Sequence, residues 1–243
     1  PVFGELKKLF SYRELLFSMV SRELKVRYKN SFLGFIWSLV NPLMTVFVIS
    51  YLFKDVLRIA NQNFSAYVLA AYLPYMFVSM SVMDATGSVL GNLGLVKKIY
   101  FPREILPLSA IISNFIHFLL ALCVFFAYML GVWALHPGAF PIQITSIYLP
   151  VLLVITFMLS CGMGLMFSAL NTFYEDVKYI VGFVLQMLLF LSPIMHLAED
   201  LYYKTPRRYI FSNYANPVGT LCNAYRKILL PHAPVYVQID GQS

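Results

Sequence analysis

The chain has 243 residues, a formal net charge of +7, a hydrophobic share of 60% and a charged share of 12%. Soluble proteins carry about 25% charged residues, so this balance excludes a soluble enzyme and a soluble nucleic-acid-binding domain. It describes a polytopic membrane protein whose basic residues flank apolar spans, where anionic lipid and topology account for them.

No polar segment is long enough to build a soluble core, so the chain reads as a single transmembrane domain over 1–243. Cys123, Cys161 and Cys222 make an odd count, and two of them lie in apolar runs, so they read as thiols and not as a disulfide framework. The first 30 residues are too charged for a cleavable signal. A chain that starts at Pro1 without an initiator Met reads as renumbered or trimmed.

Residues 5–29 are expected to form an amphipathic helix, with Leu6, Leu9, Phe10, Leu16, Phe17, Val20 and Leu24 at helical spacing and Lys7, Lys8, Arg22, Lys25 and Lys29 around them. Such a helix lies in the membrane interface or packs on its own protein. Five spans follow, at 32–53, 65–90, 102–134, 147–170 and 179–197. Pro42 is expected to bend the first, and Pro102 is a favourable first-turn residue for the third. The third and fourth come from 70 residues, Ile105 to Tyr174, without one Asp, Glu, Lys or Arg. A span needs about 20 apolar residues, and HPGAFPIQIT (136–145) breaks the run into two. A polar loop, GNLGLVKKIYFPRE (91–104), separates spans two and three, NTFYEDVK (171–178) separates four and five, and a Tyr-, Pro- and Arg-rich segment (198–243) ends the chain.

Lys and Arg number 7 before span one, 3 in the 91–104 loop and 1 in the 171–178 loop, against 2 and none in the alternate loops. The positive-inside rule places the N-terminus and those two loops in the cytoplasm. The tail, with 5, then starts outside.

Five blocks carry a resemblance: FLGFIWSLVNPL (32–43), VKKIYFPREILPLSAIIS (96–113), ALNTFYEDVKYI (169–180), FLSPIMH (190–196) and NPVGTLCNAYRKILL (216–230). In this order they resemble the ABC-2 type permeases, and most of all the transmembrane subunits that export lipid-linked polysaccharide such as O-antigen, capsule and teichoic acid. The resemblance runs from about Ser11 to Leu230. It implies an all-α polytopic membrane protein with an N-terminal interface helix, six spans, a coupling region at 91–101 and short outer-side gate helices at 198–232. It implies a homodimer joined to two copies of a separate ATPase, which would hold ATP and Mg, in the bacterial cytoplasmic membrane. A sixth span is expected after Leu230, where PHAPVYVQIDGQS stands instead; a truncated chain is the reading.

The chain has no G-x-x-x-x-G-K-[ST] phosphate loop. The 91–98 stretch is read instead as the receiver of ATP-driven motion, with Asn92, Leu95, Lys97 and Lys98 as its residues; the plain alternative is a topogenic basic loop. Arg22, Lys25, Arg27 and Lys29 would meet a diphosphate headgroup, with Leu33 and Gly34 on the same loading side. Aromatic residues make up 16% of the chain. Sugar rings lie on aromatic faces, so Trp37, Phe47, Tyr51, Tyr75, Phe183 and Phe190 are channel-lining candidates and Tyr202, Tyr203 and Tyr209 gate candidates. The plain alternative is a lipid-facing aromatic belt.

Past the first turn of each expected span, Asp84 is the one carboxylate. It serves a channel or proton relay, or it reaches headgroups or a basic partner near the end of span two. His117 reads as a hydrogen-bonded packing residue. No catalytic constellation and no metal-ligand spacing is present in the sequence. The expected cargo is a lipid-linked, O-antigen-like glycan. The alternatives are a small amphipathic drug or lipid, and a proton-coupled carrier.

Overall fold

The computed structural model describes residues 11–28, 40, 44, 47, 48, 51, 64–135, 143–192, 194 and 216–230. Its elements are α1 (Arg13–Tyr28), α2 (Phe64–Gly91), α3 (Leu93–Val96), α4 (Ile105–Leu135), a 3-10 turn (Ile144–Tyr148), α5 (Leu149–Phe173), α6 (Val177–Leu191) and α7 (Pro217–Leu229). The described residues are all-α, with no strand among them. Ala66–Gly91, Ile105–Gly131 and Ile144–Phe173 are each long and apolar enough to cross a membrane. A backbone in lipid must satisfy its own polar groups, and helices of this length do so. Most of span one lies outside the described residues.

Two boundaries differ from expectation. The third span begins at Ile105 and not near Pro102. Ile105 N–H donates to the Pro102 carbonyl and Leu106 N–H to that of Arg103, both at 3.2 Å, so a tight turn precedes the helix and Pro107 takes the first-turn place. The fifth span stops as a helix at Leu191 and not at 197. Pro193 has no N–H to offer and disfavours helical backbone at the residue before it. Fifteen residues rise only about 22 Å, short of a hydrocarbon core of about 30 Å.

The contacts form two compact units. The first draws on Pro1–Asn41, Met76–Val124 and Leu153–Leu185. Its helices meet at Gly164, where an added Cβ would lie 2.9 Å from Ile111 Cδ1 and 3.0 Å from Ala85 Cβ. A small residue there allows α2, α4 and α5 to approach closely, as helices in membranes do. Phe77, Phe115, Phe118 and Phe157 fill the adjoining layer, with ring centroids 5.0–6.4 Å apart.

The second unit draws on Pro42–Tyr75, Phe125–Leu152 and Gln186–Ser243. Its centre is α7, which buries Val218, Leu221, Cys222, Tyr225, Arg226 and Leu229 and exposes Pro217, Thr220 and Lys227. The exposed positions recur every three to seven residues, so one narrow stripe is left uncovered. Pro217 starts the helix, and the Asn216 side chain accepts from Val218 N–H and Gly219 N–H at 3.1 Å each.

Candidate functional site

The 91–104 loop is held to the first unit by α1. Met19, Val89, Phe101, Ile105 and Leu106 form a buried cluster, with Tyr12, Leu15, Leu16, Leu95 and Val96 packed around it. The interface helix therefore packs one face on its own protein. Phe17, grouped by spacing with the apolar side, stands 67% exposed, because it lies about 100° around the helix from Leu16. Phe17 and Val26 remain as outward apolar residues on an otherwise polar flank.

Two arginines of α1 reach into this framework. Arg27 donates to Asp84 Oδ2 at 2.5 Å, and Asn114 Nδ2 donates to the same oxygen at 2.9 Å. Asp84 thus joins α1, α2 and α4, which is the basic-partner reading of this acid. Arg22 donates to Asn92 Oδ1 at 2.7 Å and to Glu23 Oε1 at 3.2 Å. Asn92 Nδ2 in turn donates to the Ser88 carbonyl at 2.8 Å.

Of the four coupling candidates, Asn92 and Leu95 therefore face the body of the unit, and Lys97 and Lys98 face outward. Three exposed apolar residues flank the lysines: Leu93, Ile99 and Tyr100, the last 95% exposed. Sequence reasoning passed over them, although apolar side chains in a short polar loop were a visible signal. A second hub was also missed. Asn171, 1% exposed, donates to the Thr86 carbonyl and accepts from Lys178 N–H, both at 3.0 Å. It fixes the α5–α6 turn to α2, and leaves Phe173, Tyr174 and Tyr179 exposed.

A groove of about 230 Å³ opens at the ends of α2, α4 and α5. Its walls include Val89, Pro107, Leu165 and Phe173, and Arg103 and Glu104 stand on its rim.

In the second unit Arg226 is 2% exposed. Its guanidinium lies 3.8 Å from the Tyr67 ring centroid, and its Nε donates to the Tyr67 carbonyl at 3.2 Å. Its Nη2 donates to the Ile194 carbonyl. Asn216 donates to Ser192 Oγ at 2.8 Å, and Thr145 and Ser146 hydroxyls donate to the Ile228 carbonyl at 3.0 and 3.2 Å. The helix is tied at its start, middle and end.

The family model described as ABC-2 type transporter matches residues 14–230. The chain belongs to the ABC-2 type transporter family. It is 30% identical to the O-antigen export system permease protein RfbA of Myxococcus xanthus, over 93% of this chain and 84% of that one. It is 25% identical to the RfbA protein of Klebsiella pneumoniae, over 89% and 80%. It is 23% identical to the polysialic acid transport protein KpsM of Escherichia coli, over 86% and 79%.

In this ABC-2 protein the remaining candidates fall as follows. Arg22 and Arg27 are bound within the chain, and Lys25 is exposed. Phe47, Tyr51, Phe183 and Phe190 are exposed, between 57% and 66%, while Tyr75 is 5% exposed and packs near Tyr72. Lys29, Leu33, Gly34, Trp37, Tyr202, Tyr203 and Tyr209 lie outside the described residues.

Proposed function

We propose that this chain is the membrane-spanning subunit of an ATP-driven exporter that carries lipid-linked polysaccharide across the bacterial cytoplasmic membrane. One observation carries the reading: the ABC-2 match together with likeness, over 93% of the chain, to a permease named for O-antigen export. The chain works as a homodimer with two copies of a nucleotide-binding subunit, which binds ATP and Mg and performs the hydrolysis. Its N-terminus and the 91–104 and 171–178 loops face the cytoplasm, by the distribution of Lys and Arg.

The geometry of the first unit supports a coupling role for the 91–104 loop. Lys97 and Lys98 with Leu93, Ile99 and Tyr100 offer a mixed basic and apolar surface. Aromatic anchors beside charges are the usual makings of a protein contact. Behind it, Asn92 and Leu95 lock the loop to α1 and α2, so a push on the loop is passed to helices and not absorbed. Exposed Phe47, Tyr51, Phe183 and Phe190 are available to a channel between two copies, where stacking on sugar faces grips without a deep well.

The test is deletion of the gene in its source cell, with complementation. The proposal expects surface polysaccharide to disappear while lipid-linked glycan accumulates on the inner side. Unchanged surface glycan, with loss of a drug or lipid export activity, would replace the cargo by a small amphipath.

A further inference from the structure

The groove at the ends of α2, α4 and α5 has the features of a ligand site, and the coupling role makes no use of it. We propose that it holds one zwitterionic phospholipid with a primary-amine headgroup, phosphatidylethanolamine in its chemistry, as a resident lipid of each protomer.

Four observations carry this. The walls are apolar, formed by Val89, Pro107, Leu165 and Phe173. The rim carries a cation and an anion, Arg103 and Glu104, both exposed. Their side chains make no ion pair or hydrogen bond with each other or with another described residue. Ser168, also in the lining, is 2% exposed and its hydroxyl has no hydrogen-bond partner among the described residues. Finally, the groove sits at helix ends, where a bilayer places its headgroups, and α5 beside it shows Met158, Met166 and Leu170 outward.

The charge pattern selects the occupant. A phosphoethanolamine head carries a phosphate anion and an ammonium with three donors. Arg103 takes the phosphate through a forked guanidinium. Glu104 accepts from the ammonium. A phosphoglycerol head meets Arg103 but brings a net negative charge, and offers Glu104 only neutral hydroxyl donors in place of an ammonium. A phosphocholine head has no N–H for Glu104. The Ser168 hydroxyl donates to an ester carbonyl, and the apolar walls take the upper part of the acyl chains. Satisfying a buried hydroxyl removes the cost of leaving it unpaired.

The probe is phosphatidylethanolamine itself, with phosphatidylglycerol and phosphatidylcholine of the same acyl chains as comparators. Each is added to the delipidated, intact complex, and bound lipid is counted by native mass spectrometry. The expected result is one phosphatidylethanolamine per protomer, held at least about fivefold more tightly than either comparator, as one extra charge-assisted contact implies. Glu104→Gln, an isosteric surface change, brings phosphatidylethanolamine down to the level of phosphatidylcholine. Arg103→Gln weakens all three. Ala169→Trp, which fills the groove and keeps both rim charges, removes the specific lipid. Equal retention of the three lipids by the unaltered complex overturns the proposal. So does an unaltered phosphatidylethanolamine preference in Glu104→Gln. The readout involves neither cargo nor ATP, so its failure leaves the export reading standing.

Discussion

Replacing Arg226 with Met is the most informative single change in the second unit. The side chains are similar in length, so the substitution tests hydrogen bonding and charge more than volume. Among the described residues three contacts are lost. The Tyr67 carbonyl sits in the first turns of α2 and keeps its helical bond, so losing the Arg226 Nε donor costs about 0.5–1.5 kcal/mol. The Ile194 carbonyl lies beyond the helix end, and leaving it unpaired costs about 1–3 kcal/mol. The guanidinium over Tyr67 at 3.8 Å is desolvated, and such a contact is worth about 2 kcal/mol. Together these come to roughly 3.5–6.5 kcal/mol, partly offset because a thioether carries no buried charge to desolvate. A net loss of about 2–4 kcal/mol should lower the unfolding midpoint by about 5–15 °C. Scanning fluorimetry of the detergent-solubilised protein measures it. Arg226→Lys keeps the charge but not the fork, and should fall between the two. A midpoint for Arg226→Met within about 2 °C of the unaltered protein, less than the shift from a 1 kcal/mol change, would refute the reasoning that this arginine pins α7.

The Arg27–Asp84 pair is partly exposed, so its coupling is small. A double-mutant cycle through Arg27→Asp and Asp84→Arg should show each single change lowering the midpoint, and the swap recovering part of it, with a coupling of about 1 kcal/mol. Gly164→Val should destabilise by about 1–3 kcal/mol or prevent expression, because its side chain would enter the Ala85 and Ile111 contact; Gly162→Val, in open space on the same helix, is the control and should be tolerated. Burial pushes the Cys222 thiol up to about 12, so at pH 8 the thiolate is scarce and alkylation of the folded protein at this residue should be undetectable by peptide mass, appearing only on unfolding. Tyr100→Ala removes an exposed side chain, so it should leave the midpoint unchanged while weakening association with the ATPase subunit in a co-purification assay.

The spans were legible because a charge-free run of 70 residues has one physical home. Asp84 was legible for a related reason: an acid close to a span end, with a basic helix preceding the spans, has a partner within reach. What escaped was set by contacts between distant positions. Arg226 sits 159 residues from Tyr67 in sequence, and nothing local distinguishes a buried arginine from a topogenic one. Asn171 likewise gains its role only from Thr86, 85 residues away. Phe17 shares the apolar side with Leu16 and Val20 in the sequence, but the packed face is narrower and follows Tyr12, Leu16, Met19 and Val20. The third span was placed early because Pro102 suits a helix start in isolation, whereas Pro107 fills that role in the fold. The proposed coupling surface was half legible: its lysines stand out by charge, whereas Tyr100 shows itself only through its exposure.

The export account rests on a partner that supplies the energy, and co-purification tests it most directly. The tagged chain is solubilised from its native membrane in mild detergent, and the bound proteins are identified by mass and assayed for ATP hydrolysis. The account predicts two chains of this protein with two copies of a subunit that contains a phosphate loop, and ATP hydrolysis by the complex. A chain that purifies without any ATPase, while its transport activity persists on a proton gradient alone, would contradict it.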